Sequence, residues 1–322
     1  MAAHRRYLGW GVFLVCLGLV PLAVQLAWID ARTAAALLRF WPFILVGIGI
    51  SLALRITRYQ VVGSVISGAA TGLVFGAFFA GGIASPSVIC AGDQPRSAPA
   101  TQSGAFDSSS VQVNLELTCG EVDVTRTSAP AWSTIVATDG DSPVVQADAS
   151  SLDVRSSDAR FASPFTGGSN ERWHVTLPAA ATVSAGLTLN AASGDIALGH
   201  GQVSSVSSTL NGSDATLDLT GTSAASSLGS TLNASSMRLI LPASPVHANV
   251  TLNVSSLTIC VPPTTPLAID YTNTLGTNNF VSAGLVGSGQ GWTTADLGAP
   301  ASELHITSNL SSVSLERSGE CP

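Results

Sequence analysis

Four stretches of the chain decide its fold because they repeat one pattern: GLTLNAASGDIAL (186–198), SSTLNGSDATLDL (207–219), GSTLNASSMRLIL (229–241) and NVTLNVSSLTICV (249–261). Each holds a Leu-Asn pair, and the pairs recur at spacings of 21, 22 and 20 residues. Apolar residues follow each Asn at the sixth and eighth positions, while mostly small or polar residues fill the three positions after it. Weaker copies occur around Thr118, Asp148, Ser169 and Asn309.

This repeat predicts a β-solenoid. Alternation of apolar and polar residues indicates strands with one buried face, and a period near 20 is typical of rungs that bury that face against one another. The repeated Asn suits a turn that needs left-handed backbone or a side-chain-to-backbone hydrogen bond. Four of these asparagines also read as Asn-x-Ser glycosylation sequences, which we interpret as a by-product of turn chemistry: Asn211, Asn233, Asn253 and Asn309.

Charge is distributed unevenly along the 322 residues. Every acidic residue except Asp30 lies in residues 91–322, where 19 carboxylates and seven arginines give a net charge of −12. An acidic surface disfavours nucleic acid as a partner. The chain has no lysine, which excludes Schiff-base chemistry and a phosphate-loop lysine.

The N-terminal part contains three long apolar runs, Tyr7–Ile29, about Ala36–Leu54 and Val61–Ala84, which predict three transmembrane helices. Arginines are more numerous on one side of these runs (Arg5, Arg6, Arg55 and Arg58) than on the other (Arg32 and Arg39). By the positive-inside rule, a multi-pass protein of the cell membrane follows, with a cytoplasmic N-terminus and an extracellular C-terminal domain.

The third run carries small residues at intervals of four: Ser64, Gly68, Gly72, Gly76 and Ala80. Such a face lets another helix approach closely. Its partner is either the other helices of this chain or a helix of another membrane protein.

The predicted fold class is therefore three N-terminal transmembrane α-helices followed by an all-β solenoid-like repeat domain. The expected boundaries are 1–84 for the helices, 85–110 for a flexible linker rich in proline and small polar residues, and 111–322 for the exported β domain.

Four cysteines of the exported part are disulfide candidates: Cys90, Cys119, Cys260 and Cys321. Three pairings are open, and the preferred one joins Cys119 to Cys260 and Cys90 to Cys321. The fifth, Cys16, is interpreted as an apolar filler of the first helix.

No catalytic, cofactor-binding or metal-binding motif is found, so a non-enzymatic protein without a cofactor is predicted. The five histidines show no paired ligand spacing. Residues 139–141 (Asp-Gly-Asp) suit a hairpin turn, and 287–291 suit a flexible loop. Three tryptophans are weighed as a sugar-stacking surface, although one or more is expected in the core: Trp132, Trp173 and Trp292.

Two segments together resemble a known family. Residues 40–50 (FWPFILVGIGI) resemble the Phe-Trp-Pro-led helix of LiaF-type bacterial membrane proteins, and the repeats from about Val111 to Leu315 look like the toast-rack, adhesin-like β domain of their relatives. The resemblance implies a cell-envelope protein, and some members modulate a membrane-bound sensor kinase. A third apolar run departs from the signalling members.

Two functions remain open at this point. In the first, the protein senses or modulates envelope stress through a membrane partner such as a sensor kinase, with the bilayer and the small face of the third run as its contacts. In the second, it is a surface adhesion or structural binding module on a membrane anchor, and its β faces or strand edges bind a partner.

Overall fold

The computed structural model describes residues 2–26, 49, 60–77, 98–138, 141–157, 170–222, 225–294 and 302–317. The chain divides into two compact units, a helical one that includes Met1–Ile89 and a β unit that includes most of the remainder. Each unit is described by itself.

The helical unit corrects the prediction of three transmembrane helices, which is wrong. Its helices are α1 (Ala2–Gln25) and α2 (Gln60–Ala77), and among the described residues no helix is long and apolar enough to cross a bilayer. The run Ala36–Leu54 lies outside the described residues, apart from position 49. The multi-pass localisation, which depended on three crossings, is wrong with it.

Two glycines of the predicted small face lie against α1. A Cβ atom added to Gly72 would be 2.5 Å from the carbonyl oxygen of Phe13 and 2.8 Å from Cβ of Cys16. One added to Gly76 would be 2.7 Å from the carbonyl oxygen of Leu17. Glycine is therefore required there for the two helices to touch. The side chains of Ser64 and Ala80 lie outside the described set.

The β unit consists of two large sheets. Sheet A has ten strands in the order β1-β4-β7-β3-β9-β11-β13-β15-β21-β17, and sheet B has eleven in the order β18-β19-β16-β20-β14-β12-β10-β8-β2-β6-β5. Their bounds are β1 Ala100–Ala105, β2 Ser110–Leu117, β3 Gly120–Thr127, β4 Ala131–Thr138, β5 Val144–Ala147, β6 Ser151–Arg155, β7 Glu171–Pro178, β8 Thr182–Asn190, β9 Ala192–Ala197, β10 Val203–Asn211, β11 Asp214–Asp218, β12 Ala225–Asn233, β13 Ser236–Ile240, β14 His247–Asn253, β15 Ser256–Cys260, β16 Leu267–Thr274, β17 Thr277–Asn278, β18 Val286–Ser288, β19 Gly291–Thr293, β20 Ser302–Asn309 and β21 Ser312–Glu316.

The period of about 20 residues is one rung of a parallel stack. In each rung, one strand joins sheet B and the next joins sheet A, as in β10 followed by β11. Equivalent residues pair directly, so Asn211 of β10 faces Asn190 of β8 and Asn233 of β12. The apolar residues at the sixth and eighth positions after each Asn are buried between the sheets, with exposures of 1% or less: Ile196, Leu198, Leu217, Leu219, Leu239, Leu241, Ile259 and Val261.

The turn between the two strands of a rung is built differently from the predicted one. The residue after the Asn, rather than the Asn, adopts left-handed backbone, with φ of 51° at Ala191, 49° at Ala234 and 53° at Val254. The Asn side chains bond to one another in a ladder: Nδ2 of Asn211 donates to Oδ1 of Asn190 (2.8 Å), and the rungs that follow repeat this contact.

Serine completes the same turn. Oγ of Ser235 donates to the carbonyl oxygen of Asn233, at 2.8 Å, and accepts the backbone N–H of Ser213 from the preceding rung, at 3.1 Å. Ser255 and Ser311 repeat this arrangement. An Asn that ladders and a Ser that caps the turn therefore account for the Asn-x-Ser sequences.

Both ends of the stack are closed by aromatic side chains. Phe106 packs on Trp132 at one end, with ring centroids 6.4 Å apart, and Phe280 packs between Tyr271 and Trp292 at the other, at 5.3 and 5.7 Å. The open edge of β21 is covered by the side chain of Asn279, which donates to the carbonyl oxygen of Leu315 (3.2 Å) and accepts its N–H (2.7 Å). Such coverage protects an edge strand from unwanted pairing.

Two further expectations change. Residues 100–105, within the predicted linker, form β1 and pair with β4. Cys119 and Cys260 belong to parts of sheet A that are four strands apart, about 19 Å across the ladder, whereas a disulfide needs Cα atoms within about 7 Å. The preferred Cys119–Cys260 bond is therefore wrong. Both cysteines are disulfide-bonded, and their partners lie outside the described residues.

Candidate functional site

The outer face of sheet A carries a group of neighbouring acidic side chains. Asp123 and Asp195 face each other on β3 and β9. Partial burial and the charges of Asp123 and Asp218 raise the pKa of Asp195 above its ordinary value. Among the described residues, no group of three or more His, Cys, Asp or Glu side chains could hold a metal ion.

One arrangement on this face resembles a proton relay. Nδ1 of His174 lies 2.7 Å from Oδ2 of Asp123, and Nε2 lies 3.5 Å from Oγ1 of Thr176. All three side chains stand on neighbouring positions of an open sheet surface, where no enclosed site or oxyanion donor accompanies them in the described structure. Two depressions of the β unit have volumes of about 80 and 160 Å³, well below the roughly 300–1,000 Å³ of small-molecule sites. The arrangement is therefore an exposed cross-strand pair.

The other sequence candidates do not form a site. Trp132 and Trp173 are buried in the core, at 5% and 1% exposure, and Trp292 packs on Phe280. They form no sugar-stacking surface. Residues 287–291, expected as a flexible loop, belong to the hairpin β18–β19, with Gly289 in the left-handed region (φ 67°). Of residues 139–141, only Asp141 lies within the described part, and its carbonyl accepts hydrogen bonds from Thr138 and Ser157.

The outer face of sheet B carries a regular array instead. Six threonines on six consecutive strands pair directly across the sheet, so that they form one row: Thr272, Thr307, Thr251, Thr231, Thr209 and Thr188. All six are half-buried or exposed. Within the described part of the chain, none of their hydroxyl groups is paired with a protein group. We call this set the threonine row.

A second row runs parallel to the first, two residues further along each strand. It consists of Thr274 and the five ladder asparagines, Asn309, Asn253, Asn233, Asn211 and Asn190. Neighbouring strands are about 4.8 Å apart, and residues two apart on a strand are separated by about 6.7 Å. The two rows therefore hold twelve side chains over roughly 24 by 7 Å. None of the twelve is charged or aromatic.

On the opposite side of the threonine row lies a shallow trough of about 160 Å³, whose floor includes Gly186 and Ser207. Its end is charged, with Glu116 and Arg155 on neighbouring strands. On the same side of the threonine row, β14, β20 and β16 carry two histidine–carboxylate pairs, His247 with Glu303 (3.1 Å) and His305 with Asp270 (3.4 Å). Charged groups thus border the uncharged array without entering it.

Sequence reasoning missed the threonine row, although the signal was present. Thr precedes the Leu-Asn pair in all four strong copies, and its position two residues before Asn places both side chains on one face of the strand.

Comparisons with known proteins find structural likeness only. No family model matches the chain, and no curated protein sequence matches it. Among solved structures, the chain is similar to a "putative cell adhesion protein" from Clostridium sporogenes (12% identity, 69% of this chain and 100% of that one, TM-score 0.43). It is also similar to a "putative adhesin" from Bacteroides fragilis (9% identity, 70% and 100%, TM-score 0.26), and to a "putative lipid binding protein" from Parabacteroides distasonis (9% identity, 69% and 98%, TM-score 0.24). At such values, function must be argued from the chain's own surface.

Proposed function

We propose that the protein is a non-enzymatic surface-binding module of the adhesion type, and that the outer face of sheet B is its binding surface. The observation that carries this proposal is the threonine row with its neighbouring asparagine row. Hydroxyl groups that are aligned, at least partly exposed and without a protein partner are available to a ligand, and extended β faces are a common means of recognition.

The contrast between the two outer faces supports the same surface. Three strands in the middle of sheet A, β3, β9 and β11, carry acidic side chains that repel anionic partners: Glu121, Asp123, Asp195, Asp214 and Asp218. The threonine and asparagine rows of sheet B present neutral hydroxyl and amide groups. A neutral, extended partner therefore meets less electrostatic cost on sheet B than on sheet A.

Signalling through a membrane partner is not the function we propose. That hypothesis rested on transmembrane helices, and no described helix can cross a bilayer. In α2, the face with Gly72 and Gly76 contacts α1 of the same chain.

Co-sedimentation of the full-length chain with insoluble material tests the proposal. The probes are peptidoglycan sacculi, crystalline chitin and ice. Thr209→Glu places a charge in the middle of the threonine row, and Thr258→Glu places the same charge on the outer face of sheet A as the matched control. We expect binding to at least one probe, a marked loss with Thr209→Glu and none with Thr258→Glu. Equal effects of the two variants, or binding to no probe, would contradict the proposal.

A further inference from the structure

The regularity of the array on sheet B exceeds what an irregular ligand requires. Equivalent side chains repeat about every 4.8 Å across the strands, and the threonine and asparagine rows lie about 6.7 Å apart along them, with direct residue pairing from Thr188 and Asn190 to Thr307 and Asn309. A ligand without its own repeat gains nothing from identical spacings. A ligand whose own repeat matches the strand spacing gains from every rung at once.

The array is also rigid. Each ladder amide donates to the next at 2.8 to 3.0 Å, from Asn309 through to Asn190. Side-chain ladders of this kind are what hold many-stranded sheets flat. The threonines are β-branched and therefore restricted at χ1. Binding to an ordered surface thus costs little side-chain entropy on the protein side.

The side chains of the two rows limit the kinds of ordered ligand surface that they can bind. An ionic mineral would be bound through charged groups, and neither row contains one, although residues 91–322 carry 19 carboxylates. A crystalline polysaccharide would be gripped by exposed aromatic rings, and the two rows contain none. The remaining kind of ligand is an uncharged, ordered surface that forms hydrogen bonds with hydroxyl and amide groups. Its gaps must also accommodate threonine methyl groups.

We propose that the threonine and asparagine rows of sheet B bind the surface of ice. This inference rests on the proposed function and names its ligand. The threonine hydroxyls, which have no protein partners in the described structure, take positions in the ordered water layer. The methyl groups sit between those positions and restrict the mobility of nearby water. Glu116 and Arg155 border the contact at the end next to Thr188, and the histidine–carboxylate pairs border it along β14, β20 and β16.

The test is thermal hysteresis of the full-length chain, measured on single ice crystals together with inhibition of ice recrystallisation. We expect the wild-type chain to lower the freezing point below the melting point and to shape the crystals. Thr231→Lys should reduce the hysteresis by about tenfold, because a lysine ammonium cannot be desolvated against ice without a partner. Thr231→Ser keeps the hydroxyl and removes the methyl, so an intermediate loss is expected.

Thr258→Lys, on the outer face of sheet A, is the matched control and should retain the wild-type hysteresis. Circular dichroism and the melting temperature of each variant separate loss of binding from loss of fold. Absence of hysteresis in the folded wild-type chain would overturn the ice assignment, as would equal activity of Thr231→Lys and Thr258→Lys. Retention on chitin or sacculi without ice binding would overturn the assignment and leave the proposed function standing. Failure on all three probes would overturn both.

Discussion

The asparagine ladder offers a test of how the rungs are held together. Asn233 sits in its middle, where it donates to Oδ1 of Asn211 at 2.8 Å and accepts from Nδ2 of Asn253 at 2.9 Å. Asn233→Ala removes both bonds. At about 0.5–1.5 kcal/mol net for each bond, the free energy of unfolding should fall by about 1–3 kcal/mol.

The end of the ladder supplies the control. Asn309 makes one such bond, to Asn253 at 3.0 Å, so Asn309→Ala should cost about half as much, or roughly 0.5–1.5 kcal/mol. The double variant Asn233→Ala/Asn253→Ala loses three bonds and not four, because the two residues share one. Its cost should therefore be smaller than the sum of the single costs by about the value of one bond.

The measurement is urea denaturation of the full-length chain, followed by the β-sheet circular-dichroism signal. Equal denaturant slopes among the variants would show that the same surface is exposed on unfolding. A cost for Asn233→Ala no greater than that for Asn309→Ala would refute the reasoning. So would strictly additive costs for Asn233 and Asn253, since the ladder would then contribute nothing as a ladder.

Further expectations concern the backbone, the charges and the cysteines. Val254→Gly should raise the free energy of unfolding by about 0.5–1 kcal/mol in the same assay, because glycine adopts φ of 53° without the strain of a β-branched side chain. Asp195→Asn should stabilise the chain at neutral pH by about 0.2–1 kcal/mol. The raised pKa of Asp195 means that the folded state binds this proton more tightly than the unfolded state does. Deprotonation of Asp195 therefore lowers the free energy of unfolding as pH rises above the ordinary carboxyl range, and the melting curves of the wild type and the variant should converge at low pH. Arg126→Met should cost about 3 kcal/mol, because the guanidinium donates to four backbone carbonyl oxygens of neighbouring turns; a loss below about 1 kcal/mol would contradict that assignment. Peptide mapping without reduction should find no fragment that joins Cys119 to Cys260, and finding one would contradict the strand order.

The β unit was the predictable part of the fold, for a physical reason. Alternating burial repeats at every rung, so the apolar positions after each Leu-Asn pair report the same packing many times over. The strands outside the regular rungs, such as β1, have no such repeated pattern. Strand β1 pairs antiparallel to β4 through the sequence ATQSGA, whose small polar residues look like a linker because its partner strand, and not its own pattern, makes it a strand.

The errors elsewhere came from judging short segments without their partners. Hydropathy cannot tell a helix that crosses a bilayer from one that packs through glycine on a neighbour, as α2 does through Gly72 and Gly76. The pairing of Cys119 with Cys260 ignored the strands that lie between them. The threonine row was not predicted because the Leu-Asn pattern was interpreted through its buried apolar residues. The candidate binding surface consists of the outward-facing residues of the same strands.

The closed ends of the stack have a consequence for how such a protein can evolve. With Asn279 covering β21 and aromatic side chains closing both ends, new rungs cannot be added at a terminus without losing that protection. They can be inserted internally, because each rung offers its neighbours the same registered contacts. Duplication of a gene segment of about 21 codons would then lengthen the molecule by one strand spacing, about 4.8 Å. The length of the β stack would then depend on the number of repeats in the gene. It would change by one strand spacing at a time, without any change to the contacts between rungs.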